Sequence, residues 1–229
     1  MTWWLTRSLG DVPAGELWLG PSERAALAPL RIEKRRADWR LGRYAAKAAI
    51  GAWLGVERGR VEVLAAPSGA PVARVDGVRA ELELSISHRA GRALAVLASP
   101  GTTVGCDIEL IEPRSAAFVE QWLAPTEQAL VNGAHEDEQA CLANLIWSAK
   151  EAAAKARGEG LRLDVRHAEV ALGEPAGRPG HWRPLRVDWG SDRDYGWYLR
   201  EPEWVITVVG GERSAPRALT EPIGTRLVC

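Results

Sequence analysis

Two short stretches hold residues that could do chemistry together: Val104–Glu109, reading V-G-C-D-I-E, and Trp147–Lys155, reading W-S-A-K-E-A-A-A-K. Read as a β-strand, the first alternates, so Cys106, Ile108 and Leu110 face one way and Asp107 and Glu109 the other. Read as a helix, the second sets Glu151 and Lys155 on one face. Three carboxylates are hard oxygen donors of the kind Mg²⁺ accepts, and that ion keeps positions open for water and phosphate. Such an ion would neutralise a pyrophosphate and acidify a bound water or hydroxyl. Lys155 would meet a phosphoryl oxygen. Taken separately, each arrangement is as readily a solvated strand face, or a surface pair worth about 0.2–0.5 kcal/mol. The chemistry rests on finding both in one chain.

Several elements must position these stretches. The spacing of Leu41, Ala45, Ala48 and Ala52 predicts a long helix over Glu33–Leu54. Arg36, Arg40, Arg43 and Lys47 repeat that spacing on the side of the helix away from the apolar stripe. Like charges one turn apart repel, and Glu33 and Asp38 do not balance them. The stripe is either an ordinary solvated face or the seat of a polyanion. Leu82–His88 and Ala93–Ala98 read as strands leading into Val104–Leu110, with Ser87 and His88 at a strand end. Short strands are expected at Trp3–Leu5 and Leu17–Leu19, and a short helix from Pro21. Glu136–Gly158 is helical in pattern and ends at Gly158 and Gly160. Strands are expected at 161–163, 168–172, 185–189, 197–199 and 204–209. No internal repeat is evident along the chain. Strands and helices mix throughout, so the fold class is α+β or α/β.

Composition limits the partners. The chain has 229 residues, 46% hydrophobic and 26% charged, with a net charge of −1. That balance argues for neither nucleic acid nor a membrane surface. No apolar run is long enough to span a bilayer, and the first residues lack the pattern of a signal peptide. Cys106, Cys141 and Cys229 have no C-x-x-C spacing. They read as reduced thiols of a cytoplasmic protein with no zinc site. Only four basic residues are lysines, and two of these, Lys150 and Lys155, lie in the second stretch, where a compact point charge has a use.

The two stretches in this order resemble the paired signature of the Sfp-type 4′-phosphopantetheinyl transferases. The likeness extends to Ser85-Ile86-Ser87-His88, to the basic helix over 36–47 and to Gly158-Glu159-Gly160-Leu161. The resemblance implies an α+β fold of two similar halves about a pseudo-two-fold axis, divided as residues 1–103 and 104–210 with a tail at 211–229. It implies transfer of the phosphopantetheine arm of coenzyme A to a serine of an apo acyl or peptidyl carrier protein, releasing 3′,5′-ADP, by a monomeric cytoplasmic enzyme.

The resemblance also implies residue roles. Asp107, Glu109 and Glu151 would hold Mg²⁺ with the pyrophosphate, and Glu151 would be the general base, directly or through water. Lys155 would stabilise charge on the phosphate or protonate the leaving oxygen. Arg36, Arg40, Arg43, Ser87, His88, Asp107, Lys150 and Lys155 would contact coenzyme A. Phe118, Trp122 and Leu123 are candidate carrier contacts, or simply core. Ala70 stands where relatives often carry a lysine facing coenzyme A. Two other readings stay open: a Mg²⁺-dependent phosphohydrolase acting on a pyrophosphate, and a non-catalytic carrier-binding module.

Overall fold

A computed structural model describes residues 1–158, 163–173, 180–210 and 214–220. The Glu159-Gly160-Leu161 part of the expected motif, most of the strand expected at 161–163, and Cys229 lie outside the described residues.

The first half of the chain runs β1 (Thr2–Ser8), α1 (Pro21–Leu27), α2 (Glu33–Leu54), β2 (Val61–Ala65), β3 (Pro71–Val75), β4 (Val78–Arg79), β5 (Glu83–Arg89) and β6 (Arg92–Ala98). The second runs β7 (Val104–Leu110), α3 (Ala116–Trp122), α4 (Pro125–Gly133), α5 (Glu136–Ala156), β8 (Glu169–Leu172), β9 (Arg183–Trp189), β10 (Asp192–Arg200), β11 (Trp204–Gly210) and β12 (Arg217–Ala218). Leu17–Leu19, expected as a strand, is instead a turn closed by the Leu19 amide on the Glu16 carbonyl. No helix among the described residues is long and apolar enough to cross a membrane.

Beside a small sheet of β2, β3 and β4, the two larger sheets are built alike. In the first, β1, β6 and β5 are neighbours in that order; in the second, β7, β11 and β10 are. All these pairings are antiparallel. In each half a long helix covers one face of the sheet. Leu41, Ala45, Ala49 and Ile50 of α2 pack on Ala93, Ala95 and Leu97 of β6. Ala149, Ala152 and Ala153 of α5 pack on Val205 and Val209 of β11. The other faces meet each other. Leu94 and Val96 of β6 bury against Cys106 and Ile108 of β7 and Ile206 and Val208 of β11. Strand β6 is therefore covered on both sides, which accounts for its unbroken apolar run.

The halves also meet edge to edge. Strands β5 and β7 are edge strands of their sheets, and the Cys106 amide donates to Ser85 Oγ at 3.0 Å. Strand β12 leaves the second half and pairs in parallel with β1.

An internal repeat is present, contrary to the linear reading. Trp18–Glu23 reads W-L-G-P-S-E and Trp122–Glu127 reads W-L-A-P-T-E. In both, proline opens a helix and the glutamate at the third helical position turns back to bond its start. Glu23 accepts from the Gly20 amide at 2.9 Å and the Val63 amide of β2 at 2.8 Å. Glu127 accepts from the Ala124 amide at 2.7 Å and the Val170 amide of β8 at 2.7 Å. Each glutamate then meets a fully buried lysine of the long helix at 2.7 Å, Lys47 and Lys150 respectively. Lys47 also donates to the Trp18 carbonyl at 2.9 Å, and Lys150 to the Trp122 carbonyl at 3.0 Å. Trp18 packs edge-on against Tyr44, and Trp122 packs at a steep angle on Trp147. The repeat escapes a linear reading because the matching stretch is short and the lysine of each tie lies on a later helix.

Candidate active site

Asp107 lies on the face of β7 turned toward α5, and the helix can approach because of Gly105. A Cβ at Gly105 would overlap the Ala152 carbonyl oxygen and the Ala156 amide nitrogen. With only hydrogen there, the last turns of α5 lie directly on the strand, and Lys155 reaches Asp107. Its ammonium is 2.7 Å from Asp107 Oδ1, 3.1 Å from the Cys106 carbonyl and 3.2 Å from Ser87 Oγ. The Ser87 hydroxyl donates to the same Asp107 oxygen at 2.7 Å. Residues from β5, β7 and α5 thus converge on one carboxylate. Its second oxygen, Oδ2, is buried and has no partner, an arrangement that costs free energy unless a donor or cation is supplied.

The electrostatics fit a site prepared for a cation and an anion together. Burial and the nearby Asp107 charge raise the Glu151 carboxyl above the usual carboxylate range, against the pull of Lys155. Burial and Asp107 likewise raise Glu109. Burial would lower Lys155, but Asp107, Cys106 and Glu151 together offset it and the ammonium is held above its ordinary range. Burial pushes the Cys106 thiol up to about 12, so it is inert. It faces the inter-sheet core, as the alternation predicts.

Glu109 is more heavily engaged than the sequence suggests. Its carboxylate meets Arg114 at 3.0 Å and Arg89 at 3.3 Å, and accepts from the Trp147 indole at 3.2 Å. Arg114 is itself fixed by Asn144 Oδ1 at 2.6 Å, and Arg89 also pairs with Glu112. Sequence reading missed Arg89, Arg114 and Asn144. In a chain this rich in arginine no spacing sets them apart, although Asn144 lies one helical turn before Ser148 of the second stretch.

The basic stripe of α2 divides. Arg43 and His88 line a groove of about 260 Å³ between α2 and β5, together with Arg35, Asp38 and Trp39. Gly42 keeps it open on the helix side, where a Cβ would stand 3.3 Å from Ile86. The Arg43 guanidinium lies 4.5 Å from the Trp39 ring centre and donates to the Val63 carbonyl. Burial lowers the pKa of His88, which favours its neutral form.

Arg36 and Arg40 do not line this groove. Arg36 bonds the Leu27 and Leu30 carbonyls and pairs with Glu16 at 2.7 Å. Arg40 bonds the Pro13 and Gly15 carbonyls. Lys47 is buried with Glu23. The expectation of an open cationic face fails because the segment before α2 folds over it and supplies carbonyl acceptors.

One further expectation is corrected. Lys150 faces no open site, being wholly buried with Glu127. Leu123 is buried in the core of the second half, and Phe118 and Trp122 pack on Trp147. Leu123 is thus core, one of the two readings the sequence leaves open, while Phe118 and Trp122 are half-buried. Ala70 occupies the turn between β2 and β3. A larger cavity of about 820 Å³ lies along α2 beside Trp18 and Tyr44, and no residue of the two motif stretches lines it.

Among the described residues no group of three His, Cys, Asp or Glu is gathered as a metal cage. What fits a dication is the orphaned oxygen of Asp107 and the raised carboxyls of Glu109 and Glu151.

The family model of the 4′-phosphopantetheinyl transferase superfamily matches residues 103–209, which hold all three carboxylates and Lys155. The chain is 31% identical over 152 residues to the 4′-phosphopantetheinyl transferase AcpT of Salmonella typhimurium, covering 66% of this chain and 71% of that protein. It is 26% identical over 156 residues to the transferase HetI of Nostoc sp., and 32% identical over 92 residues to a Bacillus subtilis transferase. These two matches span 65% and 40% of the relatives' own lengths. A solved structure, Helicobacter pylori holo-[acyl-carrier-protein] synthase in complex with coenzyme A, matches 43% of the chain at 21% identity with a TM-score of 0.35, a likeness too slight to argue from. With a relative 31% identical over 71% of its own length, the chain belongs to the 4′-phosphopantetheinyl transferase superfamily.

Proposed function

We propose that this protein transfers the 4′-phosphopantetheine arm of coenzyme A to a serine of an apo acyl or peptidyl carrier protein. The observation that supports it most is the convergence of Ser87, Asp107 and Lys155 at one buried carboxylate, with one oxygen left unpartnered.

In this reading coenzyme A lies between the halves, its 3′-phosphate end toward the Arg43–His88 groove and its pyrophosphate toward Asp107. The carrier serine oxygen bonds to the phosphorus that bears the pantetheine, and the bond from that phosphorus to the bridging oxygen breaks. The leaving group is 3′,5′-ADP. Glu151 takes the serine proton, directly or through water. A carboxyl raised by burial is a better match to that task near neutral pH than an exposed one. Lys155 meets the charge that develops on the transferred phosphoryl group or its leaving oxygen. The Ser87 hydroxyl, the longest of its three contacts at 3.2 Å, is the one a phosphate oxygen replaces. Ser87 and His88 then hold phosphate oxygens.

Asp107, Glu109 and Glu151 would hold Mg²⁺, which when bound supplies charge neutralisation at the pyrophosphate. Without it these carboxylates would repel the substrate. Glu109, held by Arg89 and Arg114, is the least free of the three.

The test is to incubate the protein with coenzyme A, Mg²⁺ and several apo carrier proteins and to weigh the carriers. The expected result is a phosphopantetheine mass increase on a carrier serine with release of 3′,5′-ADP. Coenzyme A cleaved with all carriers unmodified would show a hydrolase. Carrier binding without reaction would show a binding module.

A further inference from the structure

Lys150 stands next to Glu151 in the second motif, and the motif alone suggests a phosphate contact. Its surroundings argue otherwise. The ammonium is wholly buried, held by Glu127 at 2.7 Å and the Trp122 carbonyl at 3.0 Å. Reaching a phosphate would strand the buried Glu127 carboxylate, which is strongly unfavourable. Glu127 in turn closes the start of α4 and holds the Val170 amide of β8. Lys150 thus ties the middle of α5 to the α3–α4 junction and to the far edge of the sheet. On the opposite side, α5 rests on β7 at Gly105. One residue beyond the tie is Glu151, and a turn before it is Trp147, whose indole donates to Glu109.

The first half carries the same tie in Glu23, Lys47 and the Trp18 carbonyl. There the residue after the lysine is Ala48, and the position matching Lys155 is Ala52. The protein therefore contains an internal comparison: one tie beside Glu151 and Lys155, and one beside Arg43 with neither of those side chains.

We infer that Lys150 is a positioning residue of the transfer reaction. Through Glu127 it fixes the rotation and height of α5 that bring Glu151, Lys155 and Trp147 to the carboxylates of β7, and it makes no contact with coenzyme A. The inference rests on the transferase reading, so its test needs a readout that survives the failure of that reading.

Two double variants provide it. Glu127→Gln with Lys150→Met removes both buried charges and keeps an acceptor for the backbone amides. Glu23→Gln with Lys47→Met does the same in the first half. Thermal melts establish that both fold. The second-half variant is expected to lose about 100-fold in kcat, with KM for coenzyme A within about twofold of the parent. The first-half variant is expected to keep kcat within about threefold. The indole N–H resonance of Trp147, assigned with Trp147→Phe, is expected to move in the second-half variant alone. A raised KM at unchanged kcat would instead make Lys150 a phosphate contact and overturn the inference. So would equal losses in both variants, or an unmoved Trp147 resonance. If the parent protein modifies no carrier, the transferase reading falls, and the indole resonance still decides whether the tie positions the site.

Discussion

Lys155 Nζ lies 2.7 Å from Asp107 Oδ1 while the other carboxylate oxygen, Oδ2, is buried without a partner. One oxygen is thus committed to a cation of the protein's own and the other is left for one from outside. Asp107→Asn keeps the shape and removes the charge. We expect transfer to fall by about 10²–10³-fold while the circular dichroism spectrum is unchanged. Near-parental rates would show that Asp107 holds no catalytic cation.

Gly105 sets the distance across which that pair forms. In Gly105→Ala the new methyl meets the backbone of α5, which cannot yield as a flexible side chain could. The helix must lift from β7. We expect a loss of about 1–3 kcal/mol in urea unfolding and a larger proportional loss of transfer. Unaltered stability would mean that α5 does not rest on this residue.

Glu151 predicts an inverse relation between stability and activity. Burial and Asp107 raise its carboxyl, so the folded protein holds that proton more tightly than the unfolded chain does. The stability linked to it is fully present below the usual carboxylate range and is lost as pH rises through the folded-state value. In metal-free buffer at pH 8, Glu151→Gln should therefore melt higher than the parent, by about 2–4 °C per kcal/mol gained. The difference should vanish at low pH. Transfer should be abolished. A lower melting temperature at pH 8 would show that the attraction to Lys155 outweighs the burial.

His88 predicts proton uptake. Burial lowers its pKa, so the ring is neutral near pH 7 in the free protein. A bound phosphate favours the imidazolium. Coenzyme A should therefore bind more tightly as pH falls from about 8 toward 6. Calorimetry in buffers of different ionisation enthalpy should show protons taken up on binding. His88→Ala should remove the uptake; if it persists, the phosphate lies elsewhere.

The sequence made Asp107, Glu151 and Lys155 legible because strand alternation and the helical turn are local rules that packing left intact. Ser87 entered through the resemblance of Ser85–His88 to the family pattern, and on β5 it meets Asp107. The basic stripe was misread because periodicity defines a helix face but not what covers it. The loop over residues 13–20 and the turn at 27–30 bring carbonyl oxygens onto Arg36 and Arg40, and no pattern in the chain announces that return. Lys150 was misread for a related reason. Its partner Glu127 lies on another helix, and only comparing W-L-A-P-T-E with W-L-G-P-S-E would have shown that such a glutamate awaits a buried lysine. Trp122 and Phe118 pack against Trp147 and stay half-buried, a contact that linear spacing does not show.

Strands β5 and β7 meet at their sheet edges, with Ser85 bonding the Cys106 amide and Ser87 bonding Asp107. Cut in the turn after β6, the chain would become two polypeptides, each with a bare strand edge open to aggregation. Neither would carry the reactive cluster, since the hydroxyl would belong to one and the carboxylate to the other. The second would still bring β12 back to β1. Recovered transfer on mixing the fragments would then be a direct measure of their reassembly, and the protein would serve as a split reporter without further engineering.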